Sequence, residues 1–167
     1  MPGFVRGEAT ALPFEDESFD YVASVDVYEH IDHASRERNL SELRRVARRG
    51  VLLAGPFDSD AVRAAERVAN ECHRAVHLTE NVWLKEHAEN GLPQLVGTRE
   101  FFEGRGDSVS VLRNGHLFHW LAMMCLTHYR SKLEGELARL FDDANAFYKE
   151  FVYGSDNAEP CYRCLLV

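Results

Sequence analysis

The chain has 167 residues, a length that suits one domain with one hydrophobic core, and we predict a single domain over residues 1–167. Hydrophobic residues make up 46% and charged residues 28% of it, which is typical of globular and not of disordered proteins. The formal net charge of −8 argues against general binding to a phosphate backbone, so we expect no nucleic-acid partner. No apolar run approaches the roughly 18 residues of a membrane span, and the start lacks an apolar signal core. We therefore expect a cytoplasmic protein with no membrane partner.

Two strand candidates lie near the start of the chain. Residues 4–9 form a short candidate that ends at an acid and a small residue, Glu8 and Ala9. A turn follows, because Pro13 biases the residue before it away from the helical conformation. Residues 19–25 are apolar at all but two positions, a pattern that suits a strand buried on both faces in a parallel sheet.

A helix and another buried strand follow these two candidates. Ser35 is a candidate N-cap, and four apolar residues then recur at helical spacing, namely Leu40, Leu43, Val46 and Ala47. Gly50 is predicted to end this helix, and residues 51–54 to form the next strand. A strand, a helix and a strand with short joints form a βαβ unit, which predicts parallel pairing with a right-handed crossover.

The rest of the chain alternates between helical patterns and short apolar runs. We predict helices over residues 62–72, from a cap at Thr79 to 89, and over 98–103, 116–128 and 132–152, with strands over 108–112 and 161–167. Asn90-Gly91 is predicted to end the helix that Thr79 caps. Helices that alternate with strands indicate the α/β class.

Neither cysteines nor histidines form a recognisable metal motif. Cys161 and Cys164 have C-x-x-C spacing, but residues three apart on a strand point to opposite faces, so we expect two reduced thiols whose sulfurs do not converge. His116 and His119 are three apart on a helix without an evident third ligand. We therefore predict no metal site.

The first third of the chain resembles the class I S-adenosylmethionine-dependent methyltransferases. The resemblance covers about residues 4–57, and the branch concerned is a group of small-molecule methyltransferases with an LPF-x-D-x-SFD signature. The matching segments are, in order, Glu8-Ala9, Leu12-Pro13-Phe14, residues 18–22, 29–31, 43–46 and 50–53, and Pro56. The resemblance implies a Rossmann-like, mostly parallel sheet flanked by helices, with an antiparallel C-terminal strand. It also implies methyl transfer from S-adenosylmethionine to a small-molecule or glycan-like metabolite.

The resemblance implies a cofactor site at Glu8, Ala9, Val25 and Asp26. In the family, an acid at the position of Glu8 accepts a hydrogen bond from the adenine amino group, with the next backbone N–H nearby. The chain at Val25 and Asp26 ends the following strand and lines the methionine side of the cofactor. This placement agrees with the physics of open α/β sheets, whose ligands lie beyond the carboxyl ends of the strands.

Three polar residues, Tyr28, Glu29 and His30, follow the strand end and are expected to face the substrate. Tyr28 and His30 are the predicted substrate-binding residues. His30 is the predicted general base, because imidazole is suited to proton transfer near neutral pH, with Glu29 as its orienter or as an alternative base. The other interpretation is that Glu29 and His30 only begin a helix and cap it.

Two parts of the family pattern have no counterpart in the sequence. The Gly-rich cofactor turn and the acid that holds the ribose both belong before residue 4, and Gly104-Arg105-Gly106 is a poor substitute because it precedes a strand. We therefore expect an incomplete methyltransferase sheet that lacks its first two β-α units. Three outcomes follow: the first two strands pair directly, the bare edge forms a homodimer, or the start of the sequence is truncated or misassigned. The alternative function is a non-catalytic, methyltransferase-derived module that binds a partner.

Overall fold

The computed structural model describes residues 3–167 and confirms the α/β class. The strands are β1 (Phe19–Val25), β2 (Ala47–Pro56), β3 (Val111–His116) and β4 (Cys161–Leu166). The helices are α1 (Arg36–Val46), α2 (Asp60–His77), α3 (Val82–Asn90), α4 (Leu95–Glu103), α5 (Leu117–Arg130) and α6 (Gly135–Phe147). Among residues 3–167, none of these helices is both long and apolar enough to cross a membrane.

The four strands form one sheet in the order β1-β2-β4-β3. Strands β1 and β2 are parallel and flank α1 in the chain, as the βαβ pattern predicts. Strand β4 pairs antiparallel with both β2 and β3. The C-terminal strand is therefore an interior strand, and β1 and β3 are the two edge strands among the residues that the structure describes.

The predicted strand over residues 4–9 is wrong. These residues lie outside the sheet, and Glu8 makes an isolated bridge to Ala11. Phe4 is 93% exposed, so the apolar residues that suggested a strand are not buried. Because a strand is stabilised by a hydrogen-bonded neighbour, a short apolar run without one remains a loop. The predicted pairing of this segment with β1 is therefore also wrong.

Gly50 does not end α1, contrary to the prediction. Strand β2 already begins at Ala47, and its ladder with β1 pairs Phe19 with Ala47 and Tyr21 with Gly50. A side-chain Cβ at position 50 would lie 3.4 Å from the ring of Tyr21, an ordinary van der Waals contact, so the strand does not depend on glycine here for space. The long-range ladder overrides the local helix-ending signal.

Helix α3 begins later than predicted. Asn81, not Thr79, is the cap, because its side chain accepts the backbone N–H of Trp83 and of Leu84 at 3.1 Å each. The helix ends at Gly91, whose φ of +68° lies in the left-handed region, as the Asn-Gly pair predicts.

The two sulfurs of the C-x-x-C segment lie 3.6 Å apart, so the prediction that they do not converge is wrong. The alternation rule assumes a regular pleat along the whole strand. Opposite the start of β4, Gly115 has a φ of +73° and donates its N–H to the carbonyl of Asp156 at 2.7 Å. The ladder is therefore interrupted beside Cys161, where the predicted alternation fails.

Buried side chains form two clusters. The larger one joins β2, β4, α1 and α4 to the turn after β1 and comprises Tyr28, Leu40, Leu43, Leu53, Phe57, Phe101, Phe102 and Leu166. The smaller one comprises Val62, Ala65, Leu92, Leu117 and Tyr162. The larger cluster packs against the segment that carries the predicted substrate residues, so the core fixes the position of that segment.

We predict that Leu53→Ala lowers the free energy of unfolding by about 2–5 kcal/mol, because it leaves a cavity in the larger cluster. Leu53 is 1% exposed. The control is Leu137→Ala on α6, where leucine is 63% exposed and the change should stay within about 0.5 kcal/mol. Urea denaturation followed by circular dichroism measures both; equal losses in the two variants would contradict this core assignment.

Candidate functional site

Helix α1 holds two separate loops through buried polar side chains. The Nδ2 of Asn39 donates to the carbonyl of Ala9 at 2.8 Å. The Nε of Arg36 donates to the carbonyl of Ile31 at 3.0 Å, and its Nη2 reaches the carbonyl of Glu29 at 3.5 Å. Because residues three apart on a helix are neighbours on its surface, the loops at Ala9 and at Glu29 to Ile31 are held side by side.

Two further α1 residues extend this attachment toward the LPF turn. The Oε2 of Glu42 accepts the backbone N–H of Leu12 at 2.7 Å. The guanidinium of Arg45 donates to the carbonyls of Leu12 and Phe14 and is itself held by Glu42. We call Arg36, Asn39, Glu42 and Arg45 the α1 anchor, since all four bind loop backbone.

The structure places the predicted adenine-side residues, Glu8 and Ala9, in the anchored loop. Glu8 is exposed, and among residues 3–167 its carboxylate has no ion-pair or hydrogen-bond partner. Ala9 is half-buried, and its carbonyl is taken by Asn39. The Glu8 carboxylate is therefore free to accept a hydrogen bond, while the loop beneath it is fixed.

The two residues predicted to lie on the methionine side, Val25 and Asp26, differ in whether the side chain is exposed or bound by the protein. Val25 is exposed at the end of β1. Asp26 has a φ of +51° and donates its N–H to the carbonyl of Ala54 at 2.9 Å. Its carboxylate forms a two-pronged ion pair with Arg163 of β4 at 2.8 and 2.6 Å. The Asp26 side chain is thus engaged by the protein.

Tyr28 is buried against the larger core cluster. Its hydroxyl lies 3.4 Å from the Oγ1 of Thr98, and burial raises its pKa above the ordinary tyrosine value. It lines a cavity of about 720 Å³ together with His33, Arg36, Leu40, Leu92, Thr98 and Phe101, among others. None of Glu8, Ala9 and His30 lines this cavity, so the structure does not gather the predicted site residues around it.

His30 is held in place by α3. Its Nδ1 lies 2.9 Å from the Oε2 of Glu86, and its ring packs edge-on against Trp83 at 5.1 Å between centroids. The side chain is 21% exposed, so part of it is accessible to solvent. The carboxylate that orients His30 is thus Glu86, which the sequence analysis did not identify.

Glu29 is 2% exposed and points inward beside β2. A Cβ on Gly55 would lie 2.8 Å from its Oε2, so the glycine makes room for the carboxylate. Burial raises the pKa of Glu29 above its ordinary value. Among residues 3–167, its Oε2 has no hydrogen-bond partner. Glu29 is therefore a buried acid, and its predicted role as the orienter of His30 is filled by Glu86.

A second buried pair lies next to His30. The Nδ1 of His87 is 2.9 Å from the Oε1 of Glu66, and the hydroxyl of Tyr162 donates to the same oxygen at 2.9 Å. The rings of His30 and His87 lie 4.7 Å apart. We call Glu29, His30, Glu66, Glu86 and His87 the edge cluster. Its helical members come from α2 and α3, far along the chain from the turn after β1.

One signal in the sequence could have found Glu66. It falls within the apolar stripe of α2, one residue after Ala65 and three before Ala69, and both alanines are buried. An acid inside an apolar stripe requires a buried partner. The partner itself, His87, follows from tertiary packing alone.

Comparison with known proteins bears on the first third of the chain. Residues 2–54 match a family described as a methyltransferase domain. The phthiotriol/phenolphthiotriol dimycocerosates methyltransferase 1 of Mycobacterium ulcerans (strain Agy99) is 52% identical over 52 residues, which cover 30% of this chain and 18% of that protein. A protein of Encephalitozoon cuniculi (strain GB-M1) named as a methyltransferase is 49% identical over 49 residues, covering 29% of this chain and 23% of that protein. The chain thus matches less than a quarter of the length of either relative.

Two solved structures resemble the chain at low sequence identity. The alignment with a protein from Bacillus halodurans C-125 named as a methyltransferase covers 98% of this chain and 74% of that protein, with a TM-score of 0.43 and 17% identity. The alignment with the YcgJ protein from Bacillus subtilis covers 96% of this chain and 67% of that protein, with a TM-score of 0.42 and 16% identity.

Residues 2–54, about a third of this chain, thus match a methyltransferase domain. Methyltransferases of this kind generally use S-adenosylmethionine. Of the residues predicted to hold it, Glu8 presents a carboxylate without a partner among residues 3–167, as an acceptor for an adenine amino group requires. The Asp26 carboxylate is committed to Arg163, which leaves Val25 and the backbone as the predicted methionine-side contacts.

We predict that Gly55→Ala lowers the free energy of unfolding by about 1–3 kcal/mol, because the added Cβ collides with the Glu29 carboxylate. The control is Gly97→Ala on α4, where the added Cβ would meet its nearest atom at 4.0 Å and should stabilise the helix by about 0.5–1 kcal/mol. Thermal and urea unfolding measure the two variants; an unchanged Gly55→Ala would mean that Glu29 does not pack against β2.

Proposed function

We propose that this chain acts in S-adenosylmethionine-dependent methyl transfer to a small-molecule or glycan-like acceptor. The observation that carries the proposal is the match of residues 2–54 to the methyltransferase domain. The anchored loops add support, since α1 holds the loop that carries Glu8 through the carbonyl of Ala9 and also holds the polar turn that follows β1.

Methyl transfer depends mainly on holding the acceptor and the methyl group close and in line. The bound cofactor supplies an electrophilic methyl group on a sulfonium. Glu8 and the backbone of Ala9 would hold the adenine, and Val25 with the backbone of Asp26 would face the methionine portion. Two anchored loops suit this task, because positioning requires groups that do not move relative to each other.

The acceptor would approach His30. Its ring is partly exposed and is oriented by Glu86, the arrangement expected of a group that accepts a proton from an acceptor hydroxyl. Tyr28 is buried, so its proposed contact with the substrate would be through the cavity that it lines. Glu29 is buried as well and would act through its neighbours and not on the substrate itself.

We predict micromolar binding of S-adenosylmethionine and of S-adenosylhomocysteine by isothermal titration calorimetry. Glu8→Ala should weaken it about tenfold, as expected for loss of a hydrogen bond to a charged group. The control Glu15→Ala removes another exposed acid from the same segment and should leave the affinity unchanged. Absence of binding to the wild-type chain at millimolar cofactor would reject the proposed function.

A second candidate is a non-catalytic module that pairs with another chain. The supporting observation is edge strand β1, which exposes Phe19 and, to 66%, Tyr21. A cavity of about 940 Å³ runs along β1 and β2, lined by residues that include Tyr21, Ala23, Arg44, Arg48, Leu52 and Val109. Exposed apolar edges favour pairing with another strand, and we propose a homodimer through this edge.

We predict that the wild-type chain forms a dimer at high concentration in size-exclusion chromatography with light scattering. Tyr21→Lys should shift it toward the monomer, because a lysine on an edge strand opposes strand pairing. Phe147→Lys is the matched control, since it replaces another exposed aromatic residue, on α6, and should leave the dimer intact. A strictly monomeric wild type would reject the homodimer.

A further inference from the structure

We propose that Glu29, His30 and His87 bind a divalent transition-metal ion within the edge cluster. The sequence predicts no metal site, because neither its cysteines nor its histidines form a recognisable metal motif. The three residues proposed here come from two segments that are distant in the chain. Any role of the ion in catalysis rests on the proposed function, whereas the binding of the ion does not.

The three side chains converge. One potential ligand atom from each lies within 4.8 Å of the others. In a tetrahedral site two ligand atoms lie about 3.4 Å apart, because zinc bonds to imidazole and carboxylate are about 2.0–2.2 Å long. Closing the cluster around an ion therefore requires the ligand atoms to approach one another by at most about 1.4 Å, which side-chain rotations can supply.

Two polar atoms of these side chains are buried without partners. Among residues 3–167, neither the Oε2 of Glu29 nor the Nε2 of His87 has a hydrogen bond. The two side chains are 2% and 5% exposed. Buried polar atoms are normally paired, and two unpaired atoms on side chains that converge indicate a missing partner. A cation would satisfy a carboxylate oxygen and an imidazole nitrogen together.

Each histidine is oriented by a carboxylate behind it. Glu86 lies against the Nδ1 of His30 and Glu66 against the Nδ1 of His87, both at 2.9 Å. Histidine ligands of metal ions usually donate their other ring N–H to a carboxylate or a carbonyl, which fixes the tautomer and raises the basicity of the ligand nitrogen. Here the pairing leaves the Nε2 of each ring for the ion.

The donor set narrows the class of ion. Two imidazoles and one carboxylate suit zinc and divalent iron, cobalt or manganese. They do not suit calcium, which binds at sites made of oxygen ligands alone. Three protein ligands leave at least one coordination position open. We place that position on the side of His30, because His30 is the most exposed of the three ligands and both Glu29 and His87 are buried. An acceptor oxygen could enter there, and the ion would then polarise it in place of a free His30.

A second histidine cluster provides an internal comparison. His73, His77 and His128 also place potential ligand atoms within 4.8 Å of one another, between α2 and α5. In the part of the chain that the structure describes, no carboxylate hydrogen-bonds to any of these three rings. The carboxylate support that favours the edge cluster is therefore missing in this second cluster.

The test is a cobalt titration of the full chain after chelator treatment, followed by visible absorption and calorimetry without S-adenosylmethionine. We expect saturable Co²⁺ binding with d–d bands, weakened at least tenfold by Glu29→Gln. Glu86→Gln, which removes only the orienting carboxylate, should weaken it by about 10–100-fold. Glu89→Gln, an exposed acid on the same helix, and His77→Gln in the second cluster should leave this binding unchanged.

The proposal is overturned if the wild type shows no saturable Co²⁺ absorption. It is also overturned if Glu29→Gln and Glu86→Gln bind as the wild type does, or if His77→Gln alone abolishes binding. Glu86 is partly exposed, so its variant should fold even if the Glu29 variant does not, and circular dichroism checks both. Because the cofactor is left out, loss of the metal site and loss of cofactor binding are separate outcomes.

Discussion

The attachment of two loops to helix α1 is the constraint on which the rest of the structure depends. Asn39 and Arg36 are buried polar residues, and burying such groups is costly unless they are hydrogen-bonded. Their partners are the backbone carbonyls at Ala9 and at Glu29 and Ile31. The helix can therefore bury its inner face only when both loops are in place, which couples the core to the candidate site.

The edge cluster continues this coupling toward α2 and α3. His30 follows directly from a segment held by Arg36, and its ring rests against residues of α3. His87 then links α3 to Glu66 of α2 and to Tyr162 of β4. A buried acid hydrogen-bonded to a buried histidine specifies one arrangement of these elements, because any other would leave buried polar groups unpaired. The candidate chemistry and the packing of three helices thus share the same side chains.

The sequence predicts most of this fold where local pattern decides it. The apolar run of β1, the periodicity of α1 and α2 and the Asn-Gly end of α3 are all local signals, and the elements that they predict are confirmed. The predicted burial of β1 on both faces is wrong, because β1 is an edge strand and most of its side chains are exposed. The strand predicted over residues 4–9 is wrong because a strand depends on a hydrogen-bonded neighbour, which local pattern does not supply. The helix end predicted at Gly50 is wrong because pairing of β2 with β1 outweighs the local signal of a helix-ending glycine. In the candidate site, His30 and Glu29 could be named from the turn after β1, whereas Glu66 and Glu86 reach them only through tertiary packing.

Hydrogen–deuterium exchange with and without S-adenosylhomocysteine tests most directly whether the two anchored loops form one binding edge. Because α1 holds residues 8–12 and 26–31 side by side, one ligand should slow exchange in both segments together, with the amides of α6 unaffected as an internal reference. Protection confined to one loop, or equal exchange in both states at saturating ligand, would contradict the account.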